Sequence, residues 1–358
     1  MICLGRTFKI WFIIGSFILL GWVSFEANAP YKFSYPQNFG NRFTVPANNP
    51  TTKDGVYLGR VLFYETKLSA NNRISCASCH QQSKAFTDGK ALSIGVDGVP
   101  TSRNTMALVN LLWTRKFFWD GRSTGLEEQA AFPLTDPHEM GQPIEVSAHK
   151  LRAVKAYPLL FKRAFGDTAI TPERIVKALS QFERTLISAN SPYDRYLKKQ
   201  YQPTAIELEG MALFTNSPLP DIKRRGADCA HCHGGVKTYK ELFHNNGLDS
   251  ISRDNGIQAL TGLNSDHGRF KVPTLRNIAL TAPYMHDGRF TSLEQVLDHY
   301  NAHLRTTHLS SFLKGVSNVK GGTTLQLTTY EKKAIIAFLN MLTDSSFVNN
   351  PEFSDPIK

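Results

Sequence analysis

Two stretches of the chain carry the same reactive spacing, Cys76-Ala77-Ser78-Cys79-His80 and Cys229-Ala230-His231-Cys232-His233. Each sets two thiols three positions apart and follows the second directly with an imidazole. Thiols on one turn can add to the vinyl groups of a porphyrin, and the next residue then offers a ring nitrogen to its iron. The pattern predicts two covalently attached haem c groups, with His80 and His233 as the proximal iron ligands. A zinc site and a thioredoxin-like redox pair are the rival readings. Zinc ribbons place their pairs far closer than Cys76 and Cys229, and no βαβ pattern surrounds either pair. The remaining cysteine is Cys3, so none is left for a structural disulfide.

Elements that could position these groups also come twice. Gly59-Arg60-Val61-Leu62-Phe63 precedes the first motif and Gly210-Met211-Ala212-Leu213-Phe214 the second. Downstream, Arg103-Asn104, Asp120-Gly121-Arg122 and Leu126-Glu127 answer Arg276-Asn277, Asp287-Gly288-Arg289 and Leu293-Glu294. A closing helix follows in each copy. The first starts at Thr171-Pro172-Glu173 and runs apolar through Ile175, Leu179, Phe182 and Leu186. The second starts at Thr328 or Thr329 and runs through Ile335, Phe338, Leu339 and Leu342.

The chain has 358 residues, 41% of them hydrophobic and 20% charged, enough to bury two cores. With hardly any strand alternation, the expected fold is mainly α: two tandem cytochrome-c-like domains over residues 30–198 and 199–358.

The repeat is most informative where its copies differ. Counting thirteen residues on from Asp120 reaches Pro133, and the same count from Asp287 reaches Tyr300. Proline has no donor atom for iron, whereas a phenolate is a hard oxygen ligand suited to ferric haem. The haem on His80 is therefore expected to keep an open distal face that hydrogen peroxide can enter, and the haem on His233 to be closed by Tyr300. Met106 or His138 closing the first haem remains an alternative, as do His299, Met285 and His303 at the second. Splitting an O–O bond heterolytically needs a base to take the peroxide proton and return it to the departing oxygen. Glu139 is the candidate, with Gln129 as a hydrogen-bonding neighbour, although a carboxylate at such a position is more often simply solvated. Trp119, paired with His286 in the repeat, could relay electrons or merely pack.

These residues resemble the bacterial di-haem cytochrome c peroxidase and MauG family across roughly residues 40–345, through RVLFYETKLSANNRISCASCH, RNTMALVNLLWTRKFFWDGR, LEEQAAFPLTDPHEM, CAHCHGG and FKVPTLRNIALTAPYMHDGRF. The resemblance implies a peroxide-reacting N-terminal haem and an electron-transferring C-terminal one. It matches Glu139 to the family's catalytic glutamate, Gln129 to its pocket glutamine and Trp119 to its inter-haem tryptophan. It also implies a calcium ion held by Asn104, Thr281 and Pro283; this rests on the resemblance alone, because Asn104 by itself would be a turn or capping residue. Two departures from typical di-haem peroxidases stand out. No histidine lies between His80 and His138, where those enzymes carry a capping ligand, and Tyr300 occupies the place of a ligating methionine. Both are MauG-like features. Exchanging thioether for phenolate should lower the potential of the second haem.

Three functions follow: a peroxidase fed by a small electron-donor protein such as a cytochrome c or cupredoxin, a MauG-like enzyme oxidising aromatic side chains of a protein substrate, and a non-catalytic electron carrier. Residues 1–29 read as an export segment, with Arg6 and Lys9 before an apolar run and Ala27-Asn28-Ala29 as a cleavage-like site. A periplasmic location is expected, with cleavage and retention as an inner-membrane anchor both open. The formal net charge of +11 is scattered along the chain, which favours acidic protein partners or an anionic membrane face over nucleic acid.

Overall fold

The computed structural model describes residues 29–357, so the export-segment expectation lies outside the described residues apart from Ala29. In the first half, helices α1 (Lys53–Tyr64), α2 (Leu126–Thr135), α3 (Ile144–Arg152), α4 (Tyr157–Phe165) and α5 (Pro172–Glu183) enclose one core. In the second, α6 (Ala205–Thr215), α7 (Leu293–Ala302) and α8 (Thr329–Asn340) enclose another. The described residues hold a single sheet, the two-stranded antiparallel pair of β1 (Phe243–His244) and β2 (Phe270–Lys271), in which Phe243 faces Lys271. The molecule is thus mainly helical, as its repeat of apolar residues three and four apart requires.

The helices begin where their caps dictate. The Thr171 hydroxyl accepts from the Arg174 amide at 3.2 Å, with Pro172 at the first helical position, where its missing N–H costs nothing. Thr328 forms a reciprocal capping box with Glu331. Ile175, Leu179 and Phe182 on α5 are buried, and so are Ile335, Phe338 and Leu339 on α8. Each contributes about 1.5–3 kcal/mol by leaving water.

In both halves the first helix crosses the last at a glycine. A Cβ on Gly59 would lie 1.9 Å from the Ala178 carbonyl oxygen, and one on Gly210 would lie 1.8 Å from that of Ala334. The two motif-bearing halves therefore share one close helix crossing, and only a residue without a side chain permits it.

The halves are also tied together. Arg103 donates to Asp120 at 2.6 Å and reaches across to both oxygens of Asp254 at 2.7 and 2.8 Å. The C-terminal segment turns back onto the first core, where Phe347 and Phe353 stack edge-on against Phe86 at 5.5 and 6.4 Å.

Candidate functional site

Cys76–Cys79 form one helical turn with a Ser75/Ser78 capping box, which brings His80 to the C-terminal end of the turn. Cys229–His231 form the equivalent turn before His233. Both imidazoles are oriented alike: Nδ1 of His80 pairs with the Phe86 carbonyl at 2.8 Å, and Nδ1 of His233 with that of Pro273 at 3.1 Å. A proton held on Nδ1 leaves Nε2 as the free donor atom for iron. Burial pushes all four thiols up, Cys229 to about 12. That is opposite to the depressed thiolate a zinc or redox site requires, so the donor set fits thioether-linked haem.

The second turn opens into a cavity of about 280 Å³ lined by Cys229, Cys232, His233, Met285 and Tyr300. Burial raises the Tyr300 phenol to about 12, a shift opposed by a hydrogen bond from Asn246. The Asn246 amide reaches both the Tyr300 hydroxyl at 3.3 Å and the Met285 sulfur at 3.4 Å. His299 instead spends its Nε2 on the Asn246 carbonyl at 2.9 Å. Of the four residues considered for this position, Tyr300 and Met285 line the cavity. Tyr300 is the eighth residue of α7, and Pro133 is the eighth residue of α2. The two aligned positions thus fall at the same place along their helices, and in the first half a proline, with no N–H and no ligand atom, stands there.

Around the first turn, burial pushes the Glu139 carboxyl up to about 7, with Asp136 adding and Arg122 opposing. Its charge reaches both Cys76 and Cys79. The Glu139 carbonyl accepts from the Val96 amide at 2.9 Å, and a Cβ on Gly95 would lie 1.8 Å from the His138 carbonyl oxygen. The loop after the first motif is thereby pressed onto the segment that carries Glu139. His138 pairs with Asp97 at 2.6 Å and is exposed, and Met106 lines the second cavity. Gln129 lies one turn before Pro133 on α2, and Leu126, Ala130 and Leu134 face its core.

Trp119 lines the second cavity with His286, and its indole N–H donates to the Asn104 carbonyl at 2.8 Å. Asn104, Thr281 and Pro283 also border this cavity. The Asn104 amide nitrogen donates to the carbonyls of Lys90 and Ala91, which leaves its side-chain oxygen as the atom it can offer a cation. Among the described residues no group of three or more His, Cys, Asp or Glu could hold a metal ion. Sequence reasoning missed Asn246, because it has no counterpart in the first motif and its partners lie 39 and 54 residues away.

Fold and paired turns together define a mainly helical protein with two Cys-x-x-Cys-His turns whose residues fit haem. A family model for di-haem cytochrome c peroxidase matches residues 53–202. The methylamine utilization protein MauG of Methylophilus methylotrophus is 31% identical over 92% of this chain and 94% of its own. The cytochrome c551 peroxidase of Nitrosomonas europaea is 35% identical over 71% and 75%. The crystal structure of a MauG-like protein associated with microbial copper homeostasis superposes with a TM-score of 0.81 at 34% identity, covering 92% of this chain and all of that one. The chain belongs to the di-haem cytochrome c peroxidase family, an oxidoreductase family whose membership implies two c-type haems.

Proposed function

We propose that the chain is a di-haem peroxidase that reduces hydrogen peroxide to water at the first haem, on His80, with electrons entering through the second, on His233. The carrying observation is the non-equivalence of two equivalent positions, Pro133 on α2 and Tyr300 on α7. When bound, the haems supply the iron that meets the peroxide and the store for its two oxidising equivalents. The chain's own part at the open face is proton handling. Glu139, with a carboxyl near 7, takes the proton from one peroxide oxygen and returns it to the other, and Gln129 orients the bound peroxide. Tyr300 closes the second site. Trp119, which lines the cavity at the second site, passes electrons between the haems one at a time.

The carboxyl test is Glu139→Gln in the haem-loaded protein: slower reaction with peroxide and unchanged haem content support the assignment, and a native rate removes Glu139 from the mechanism. A MauG-like oxidation of aromatic side chains on a partner protein is the second reading, favoured by Tyr300 in the ligand position and by the likeness to MauG proteins. Fast oxidation of a reduced cytochrome or cupredoxin supports the first reading, whereas slow oxidation with lasting modification of a co-expressed neighbour supports the second. A ferric sample that ignores peroxide would make the chain an electron carrier.

We further assign residues 30–198 and 199–358 as the two domains, a calcium ion to the oxygens of Asn104, Thr281 and Pro283, and a periplasmic location. Amide and carbonyl oxygens suit a hard cation. Among the described residues no helix is long and apolar enough to cross a membrane.

A further inference from the structure

Lys271 is a buried lysine that the proposed chemistry does not use, 7% exposed on β2 and bordering the second cavity. Burying an ammonium is expensive unless it is paired and hydrogen-bonded. Apart from its strand partner Phe243, the partners of Lys271 lie in, or are bonded to, the loop that presents Trp119. Its amide donates to the Trp119 carbonyl at 2.7 Å, and its Nζ donates to the Lys116 carbonyl. The same Nζ stands 5.9 Å from the centre of the Phe117 ring and 3.9 Å from the Glu241 carboxylate. Glu241 in turn accepts from the Arg115 amide at 2.6 Å. Within this loop Phe118 adopts φ +65°, a left-handed conformation that a bulky residue holds only when its surroundings impose it. The strand pair of the second half thus grips the loop of the first at Arg115, Lys116 and Trp119.

We propose that Lys271 is the positioning residue for Trp119, fixing the indole between the two haem sites from both ends of the Lys116–Trp119 turn. The proposal rests on the reading of Trp119 as the inter-haem relay. Each crossing takes one electron from the indole and returns one, and the Nε1–H keeps its proton on the Asn104 carbonyl. What the relay requires of its surroundings is therefore a fixed ring, not a base.

The test uses the haem-loaded full chain with Lys271→Met, Lys271→Arg, Trp119→Phe and the Trp119→Phe/Lys271→Met double variant. Hydrogen exchange reports on the 116–121 amides, and rapid-mixing absorption separates reaction at the first haem from electron loss at the second. Lys271→Met should speed exchange across 116–121 and slow inter-haem transfer about tenfold, while the reaction at the first haem stays native. Lys271→Arg should restore both, and the double variant should transfer no more slowly than Trp119→Phe alone. If Lys271→Met accumulates without haem, Lys271→Gln carries the same comparison. Native exchange and transfer in Lys271→Met, beside slow transfer in Trp119→Phe, would overturn the proposal. So would further slowing in the double variant, because Lys271 would then act other than through the indole. Native transfer in Trp119→Phe would sink the relay reading itself, and the role of Lys271 with it.

Discussion

At the scale of single residues, the account turns on two acids held away from their usual behaviour by burial. Glu139 is ready to exchange a proton near neutrality, because its pocket raises the carboxyl to about 7. As a base it works only when deprotonated, so the native rate with peroxide should rise as the pH climbs through about 7. Glu139→Gln should lose that rise and react about 100-fold more slowly, measured by rapid mixing across a pH series. Tyr300 has the opposite need. As proposed, Tyr300 would bind the second iron as a phenolate, so its phenol, which burial raises to about 12, would shed its proton there under the pull of the ferric charge. Tyr300→Phe should alter the absorption spectrum of the second haem and leave the first unchanged; an unaltered spectrum would point to Met285. Of the proposed site, the two Cys-x-x-Cys-His turns were legible in the sequence as a repeated motif, and Pro133 and Tyr300 as a difference between its copies. Asn246 and Lys271 were not: one acts through an amide and the other through backbone carbonyls, so spacing carries no mark of either.

At the scale of elements, the two crossings at Gly59 and Gly210 do the same work. Gly210→Ala drives a methyl group into the Ala334 carbonyl and should destabilise the second half by about 1–3 kcal/mol or more, read by denaturant unfolding. Thr328→Ala removes one arm of the capping box and should cost about 1 kcal/mol. The helix starts at Thr171 and Thr328 could be read from residue types alone, since capping is local chemistry between neighbours in sequence. The return of the C-terminal segment could not. Phe347 packs on Phe86, far off in the chain, and no local signal distinguishes it from an apolar residue of the second core. Phe347→Ala should destabilise the first half by about 3–5 kcal/mol, a loss that appears in the unfolding transition assigned to that half.

At the scale of the whole molecule, a duplicated helical frame has been made unequal. Its halves share the motif turn, the glycine crossing and the capped closing helix, and they part at the eighth residue of helices α2 and α7. A net charge of +11 surrounds this frame, so encounter with an acidic partner should weaken as salt rises. The most direct test of the inequality is electron paramagnetic resonance on the haem-loaded, fully oxidised protein before and after one equivalent of peroxide. The account predicts one high-spin and one low-spin ferric signal at rest, with peroxide abolishing the high-spin signal. Two low-spin signals that peroxide leaves untouched would contradict it.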